Sequence, residues 1–391
     1  MKRDPVNSAT LPPVIEAHAH KSAANQAREW GPNVKRILCI RLDNLGDVLM
    51  TTPALHALRA AQPGRHLTLL ASRAGKAAAP FIDAIDDVIE YDAPWVKQDA
   101  PIDALTDLAM RARLAAAKFD AAVIFSVYSQ NPLPAAMLCH LAGVPLRLAH
   151  CRENPYGLLT DWVQETEPQH GTRHEVERQL ALVAQVGAKA TNIRMRFTVR
   201  TDDAAALAHK LFARNVDVNA PFIVVHPGAS AESRRYPAER FAQAIEHLGE
   251  QLQWPMLVTG SRGENALCRE ACGASPHAID LSSALEFGEL AALIQRARLL
   301  ISNNSGPVHL ASALGTPVVD LYALTNPQHM PWQTLHRVLS HDVPCRWCYR
   351  SVCPEDHHAC LRGVGVEQVV AAALELSNAQ PSPINTTTRA S

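Results

Sequence analysis

From about residue 34 onward, short and almost wholly apolar runs alternate with longer segments of mixed polarity. RILCI (36–40), LTLLAS (67–72), DVIEY (87–91) and AAVIF (121–125) predict strands. Helices are expected between them over 48–61, 103–117 and 132–142, with a further one over 174–188 after an irregular stretch at 151–173. Strands that are apolar throughout, rather than at every second position, belong to a parallel sheet covered on both faces. The pattern restarts after residue 200. FIVVH (222–226), MLVTGS (256–261), AIDLS (278–282), LLIS (299–302) and PVVDLY (317–322) read as strands, with helices at 202–215, 238–250, 263–272, 287–297 and 306–314. Two consecutive α/β series predict two doubly wound domains facing a cleft, joined by a hinge near 189–200.

A chain of 391 residues suits two domains better than one core. Lys plus Arg (37) and Asp plus Glu (38) nearly cancel, so no global field recruits nucleic acid. No apolar run approaches the roughly 18 residues that span a bilayer. Residues 1–33 are polar and alanine-rich without an apolar signal core, and read as a flexible extension. SNAQPSPINTTTRAS at the other end reads as a disordered tail. The protein is therefore expected in the cytoplasm, where it could still touch a membrane surface. Arg59, Arg73 and Lys76 could receive an anionic acceptor there, or be ordinary surface cations.

Chemistry-bearing residues collect where strands hand over to helices. In IRLDNLGDVLMTTPAL (40–55) the loop carries Asp43, Asn44, Gly46 and Asp47, and lacks the glycine fingerprint of dinucleotide sites. Asp47 stands at the helix start, where an aspartate can act as a cap, as a base, or as both. HPGASAESRRYPAERF (226–241) places Ser230, Arg234 and Arg235 in a small-residue loop before a helix. Arginine pairs with phosphate through two parallel bonds, although a solvated surface loop would look similar. ISNNSGPVHLASALG (301–315) ends a strand in a run of capping residues. Pro307 fits the first helical turn and Gly315 its close, so the N–H groups around Asn304, Ser305 and Gly306 offer an anion site with His309 one turn in.

Four of the nine cysteines, Cys345, Cys348, Cys353 and Cys360, crowd into sixteen residues. Spacings of two, four and six residues could wrap one zinc or iron ion tetrahedrally, with His357 and His358 as substitutes; unligated thiols in a loop are the other reading. Cys268 and Cys272 are expected to be packing residues.

Taken together, IRLDNLGDVLMTTPALHALR, VVHPGAS…RRYPAERF, SNNSGPVHLASALGTPVV and TNPQHMPW resemble the family 9 glycosyltransferases, the bacterial heptosyltransferases of the lipopolysaccharide core. The resemblance covers roughly 35–375 and implies a GT-B fold, two Rossmann-like domains with the active site between them. It implies an acceptor-side domain over 34–190 and a nucleotide-sugar domain over 200–377 that includes the cysteine cluster. It places the base on Asp47, the cationic phosphate ligand on Arg234 with Arg235 adjacent, and the donor-binding helix tip on Asn304, Ser305, Gly306 and Pro307, followed by His309. Asn304 departs from the family pattern, which usually has aspartate there. A cysteine cluster of this kind is similar to one in part of the family that has been reported to hold iron.

The activity so implied is inverting transfer of a heptose from ADP-heptose to a lipid-linked core oligosaccharide at the inner membrane surface. Asp47 would take the acceptor's proton while the helix tip and Arg234 meet charge growing on the departing diphosphate. The chain has no Asp-x-Asp motif, so no catalytic metal is expected. A nucleotide-sugar epimerase of the same architecture is the competing enzyme reading. A degenerate nucleotide-sugar-binding protein, suggested by Asn304, is the non-enzyme one.

Overall fold

The computed structural model describes residues 28–96 and 103–379. Two six-stranded sheets, parallel throughout, carry the fold. The first contains β1 (Arg36–Arg41), β2 (His66–Ala71), β3 (Asp87–Glu90), β4 (Ala121–Ile124), β5 (Leu146–Cys151) and β6 (Asp161–Gln164), in the order β3-β2-β1-β4-β5-β6. The second contains β7 (Ile223–His226), β8 (Met256–Val258), β9 (Ala278–Asp280), β10 (Leu299–Asn303), β11 (Val318–Leu321) and β12 (His336–Leu339), in the order β12-β11-β10-β7-β8-β9. Strand order reverses at β1/β4 and at β7/β10. Crevices at such switch points, beyond the carboxyl ends of the strands, are where open α/β sheets hold ligands.

Helices α1 (Leu45–Ala61), α2 (Arg73–Lys76), α3 (Ala104–Ala117), α4 (Leu133–Leu141) and α5 (Glu175–Ala184) accompany the first sheet. Helices α6 (Thr201–Phe212), α7 (Ala238–Leu252), α8 (Asn265–Cys272), α9 (Phe287–Arg296), α10 (Gly306–Leu314), α11 (Ala359–Arg362) and α12 (Val366–Asn378) accompany the second. Each central strand is apolar on both faces because both are covered. Ile37 and Cys39 of β1 enter one core cluster, and Leu38 and Ile40 enter another on the opposite face. The first of these clusters continues through Val48 and Leu49 of α1 to Val308 and Ala311 of α10. The two halves therefore meet along an apolar seam, with a polar cleft above it. Among the described residues, no helix is long and apolar enough to cross a membrane.

The expected elements stand within a few residues of their places, and 189–200 is free of helix and strand. Three strands were missed. β5 and β6 fall in or beside the segment read as irregular, where Arg147, His150 and Asp161 break the apolar run; β12 is a short edge strand, HRVL. The expectation of a flexible extension through residue 33 does not hold at its end. Residues 1–27 lie outside the described residues, but Trp30 is buried, its N–H bonds the Val186 carbonyl, and its carbonyl receives Arg65. Of the expected tail, residues 380–391 lie outside the described residues.

Candidate active site

The cleft is built where α1 and α10 approach each other. α1 has to begin close to the second half because Gly46 carries no side chain: a Cβ there would lie 2.6 Å from Cδ2 of His309. Gly306, first residue of α10, faces Leu45 of α1 with room for a Cβ, which would lie 3.8 Å from Leu45 Cδ2 in ordinary contact. Pro53 inside α1 cannot bond the Leu49 carbonyl, and the Thr52 hydroxyl donates to it instead at 2.7 Å, so the helix continues.

Asp47 occupies the first turn of α1 and does two jobs. Its Oδ2 accepts the Asn44 N–H at 3.1 Å, a capping contact, and its Oδ1 accepts Arg41 Nη2 at 3.1 Å. Arg41, at the end of β1, is completely buried and is matched by three carboxylates: Asp43 at 2.9 Å, Asp47 at 3.1 Å and Glu175 of α5 at 2.7 Å. The centre among these three carboxylates is filled by the guanidinium. Burial raises the pKa of Asp47, Arg41 opposes that rise, and Glu175 adds to it. The result is a carboxylate more basic than an exposed one, with its side chain still partly open to the cleft.

Across the cleft, the loops after β7 and β10 form the other wall. Asn303 fastens them together: its Oδ1 accepts the Tyr236 N–H at 2.9 Å and its Nδ2 donates to the Pro227 carbonyl at 2.7 Å. Asn304 is buried and gives both amide hydrogens away, to Asp320 Oδ2 at 3.0 Å and to the His329 carbonyl at 2.9 Å. What remains of its polar head is a carbonyl, an acceptor as a carboxylate would be. Asp320 supplies the acid from the strand behind, and burial pushes its carboxyl up to about 8.

Ser305 caps α10 by position without a side-chain bond, and Pro307 follows in the first turn. Ser305 Oγ, Arg234 Nε, His309 Nδ1 and His329 Nε2 are buried and have no hydrogen-bond partner among the described residues. Burial, reinforced by His174 and Arg234, pushes His309 down to about 3, so its ring is neutral. His329 is likewise held well below its usual value by burial. The Thr325 hydroxyl donates to Asn326 Oδ1, and Asn326 Nδ2 then points at His329 Nδ1, 2.8 Å away. That contact puts the ring proton on Nε2, a donor beside His309.

The structure places Asp47, Arg234, Ser305, Gly306, Pro307 and His309, all singled out from the sequence, around this cleft. Arg235 instead braces its own loop, donating to the Ala229 carbonyl at 2.9 Å, and Ser230 is exposed on that loop. Arg41, Glu175, Asp320 and His329 were not identified. Glu264 was also missed: its carboxylate stands against Gly228, where a Cβ would be 2.1 Å from Oε1. The first turn of α5 looks like any acidic helix start, and nothing in the sequence marks Glu175 as buried.

The metal expectation finds no support among the described residues. Cys345, Cys348, Cys353 and Cys360 are free, partly buried thiols, and no group of three or more His, Cys, Asp or Glu among the described residues could hold a metal ion. Of the proposed ligands, Cys345 Sγ lies 3.7 Å from His357 Nε2, while His358 turns into the start of α11. The backbone is committed elsewhere. Trp347 and Tyr349 donate to the Leu324 and Thr325 carbonyls, and the Arg350 and Ser351 carbonyls receive Ser233 of the Arg234 loop. Tyr349 then reaches across to hydrogen-bond Tyr128 of the first half. The segment serves as a strut over the cleft.

Comparison with known proteins agrees with this geometry. The family model described as glycosyltransferase family 9 (heptosyltransferase) matches residues 108–359. Lipopolysaccharide heptosyltransferase 3 of Escherichia coli (strain K12) is 24% identical over 296 residues, covering 74% of this chain and 82% of that one. A family 9 glycosyl transferase structure from Veillonella parvula DSM 2008 superposes with a TM-score of 0.72 at 22% identity, over 88% of this chain and 97% of that one. The structure of E. coli ADP-heptose lps heptosyltransferase II gives 0.68 at 19% identity, over 88% and 98%. With the paired parallel sheets of the GT-B architecture and a family match over most of its length, this chain belongs to glycosyltransferase family 9 and is a glycosyltransferase.

Proposed function

We propose that the enzyme transfers a heptose, with inversion, from ADP-heptose to a lipopolysaccharide-core-type oligosaccharide, without a catalytic metal. The domain over 34–190 takes the acceptor and the domain over 200–377 takes the nucleotide sugar, in the cytoplasm at the inner membrane surface. The observation that carries this reading is the close approach of Gly46 to His309, one turn into α10, which sets the neighbouring Asp47 beside the N-terminal turn of that helix. A sugar whose diphosphate lies on that tip would present its anomeric carbon toward Asp47.

The diphosphate is assigned to the N–H groups of residues 304–307, the Arg234 guanidinium and the Nε2–H of His329. These donors are fixed before the reaction, so charge developing on the leaving group is stabilised with little reorganisation. Arg234 and the helix end take the part a divalent ion plays elsewhere, and Arg41 already fills the carboxylate cluster. Asp47 accepts the proton of the attacking hydroxyl as the sugar–phosphate bond breaks on the opposite face. Similarity to heptosyltransferases supports the choice of sugar and acceptor, and the acceptor-like head of Asn304 removes the objection its identity raised. An epimerase would need no acceptor, so acceptor dependence separates the two readings.

The test is incubation with ADP-heptose and a heptose-deficient core oligosaccharide. ADP release that requires the acceptor, with an inverted anomeric signal in the product by NMR, is expected. Equal ADP release with and without acceptor would refute the transfer reading.

A further inference from the structure

Helices α3 and α4 cover the same face of the first sheet. Met110 and Leu114 of α3 and Ala135 and Leu138 of α4 enter one core cluster with Leu38 and Ile40 of β1. Both helices therefore turn their opposite faces outward on one side of the molecule. A helix that covers a sheet normally carries polar residues on that outer face. α3 does not. At about 100° per residue, Leu105, Leu108, Ala112 and Ala116 line the face opposite Met110 and Leu114. Leu105 is 71% exposed and Leu108 57%. The exposed arc of α4 carries Met137 and Leu141, and Tyr156, in a short helical turn packed beside α4, is 84% exposed. Exposed apolar residues gathered on one side of a molecule mark contact with a protein or a membrane.

Charge decides between the two. Both acids of α3 are tied to their own domain: Asp103 caps the helix through the Leu105 N–H, and Asp107 accepts the Tyr91 hydroxyl at 2.7 Å. Arg111 and Arg113 stand at opposite margins of the leucine–alanine face, exposed, with no side-chain partner among the described residues. The cations singled out for an anionic acceptor are different, because they are already paired. Arg59 meets Asp86 through two bonds of 2.8 Å, and Arg73 and Lys76 meet Glu90 at 3.2 and 3.0 Å. A second copy of this chain, docked about a two-fold axis, would set the unpaired arginines of α3 against their own copies. An anionic bilayer would take the leucines at its acyl boundary while the long arginine side chains reach lipid phosphates.

The face also lies where a membrane-borne substrate would need it. Arg36, first residue of β1, donates to the Ala117 carbonyl at 3.1 Å, so the last turn of α3 sits at the amino edge of the sheet. The leucine end of α3, about 20 Å away, is at the carboxyl edge, where the cleft opens. We propose that the outer face of α3, extended by Met137, Leu141 and Tyr156, docks on an anionic phospholipid surface. Leu105 and Leu108 enter the interface, and Arg111 and Arg113 meet lipid phosphates. This rests on the membrane-surface placement in the function proposed above and assigns the attachment to one helix face.

The test is flotation of the full-length protein with vesicles of phosphatidylcholine alone, and of phosphatidylcholine with about one third phosphatidylglycerol. Binding to the anionic vesicles, weakened by salt, and little binding to the neutral ones are expected. An arginine near an anionic surface contributes about fivefold, so Arg111→Gln with Arg113→Gln should weaken binding about 25-fold. Leu105→Ser with Leu108→Ser should weaken it at least tenfold. Leu105→Phe with Leu108→Phe should retain binding, and melting temperatures should stay near wild type throughout, because these side chains are exposed. No binding to anionic vesicles, equal binding to both compositions, or binding unchanged in either weakening pair would overturn the proposal. So would a monomer–dimer equilibrium in ultracentrifugation that Leu105→Ser with Leu108→Ser abolishes, since a second copy would then cover the face. Flotation uses neither nucleotide sugar nor acceptor, so its failure and the failure of heptose transfer are read separately.

Discussion

Replacing Gly46 by alanine isolates the contact on which the cleft depends. Two effects of opposite sign act at this position. In the first turn of a helix, Gly→Ala should be favourable, by up to about 1 kcal/mol, because glycine loses more backbone entropy on folding. Against that, the new Cβ would lie 2.6 Å from His309 Cδ2, and carbon atoms settle at about 3.5–4.0 Å. Roughly 1 Å must be found, and His309 is buried and cannot easily turn aside. Overpacking of this kind costs about 1–3 kcal/mol, so the clash should win and Gly46→Ala should be net destabilising by about 1–2 kcal/mol in chemical denaturation. In a His309→Ala background the ring is gone and the sign should reverse, with Gly46→Ala then stabilising. Turnover should fall by about 10–100-fold in the single variant, since displacing reacting groups by about 1 Å costs that order. ADP affinity, measured by calorimetry, should hold. A Gly46→Ala protein as stable and active as wild type, with no coupling to His309, would refute the claim that α1 and α10 are in register across the cleft.

Asp47→Asn should keep ADP affinity and lose about 10²–10⁴-fold in turnover, read by coupled ADP release; a loss under threefold would remove Asp47 as base. Arg234→Ala should weaken ADP binding by calorimetry while leaving acceptor binding alone, and equal affinity would count against a phosphate contact. Asp320 makes a pH prediction. Its pKa is raised from 3.8 to about 8, so the stability it contributes is full below 3.8, declines as pH rises, and is gone above about 8. At about 1.4 kcal/mol per tenfold change this amounts to no more than about 6 kcal/mol. Asp320→Asn should therefore flatten the melting-temperature profile between pH 5 and 8, and an unchanged slope would show that the carboxyl is not protonated in the fold.

The strands legible from sequence were those buried on both faces, because burial forces an unbroken apolar run: β1, β4, β7 and β10 could hardly be anything else. Edge strands such as β12 escape that demand and lose the signal. Helix α12, which covers β10 to β12, follows the cysteine segment and has no strand–helix loop to mark its start in the sequence. At the site, residues in a strand–helix loop could be found because loop position alone confers a role, as for Asp47 and Ser305. Arg41, Glu175 and Asp320 lie in ordinary strands and helices and acquire their roles only when distant segments meet. The cysteines show the converse. Their spacing suits a metal, but the segment's backbone bonds reach outward to Leu324, Thr325 and Ser233, and spacing alone does not reveal where a loop is tied.

Helix α5 joins matters usually kept apart. Glu175 holds Arg41 in the first half, yet its own N–H bonds the Gln328 carbonyl, and the preceding His174 bonds the Met330 carbonyl and stacks on Trp332, all in the second half. Were the two domains to swing apart, this turn of helix would have to let go of one of them. Release from Arg41 would take away the negative charge that helps keep Asp47 basic. On the role proposed for Asp47, opening would lower the basicity of that carboxylate as well as spoil the template, so idle loss of the sugar to water would be suppressed without a separate lid.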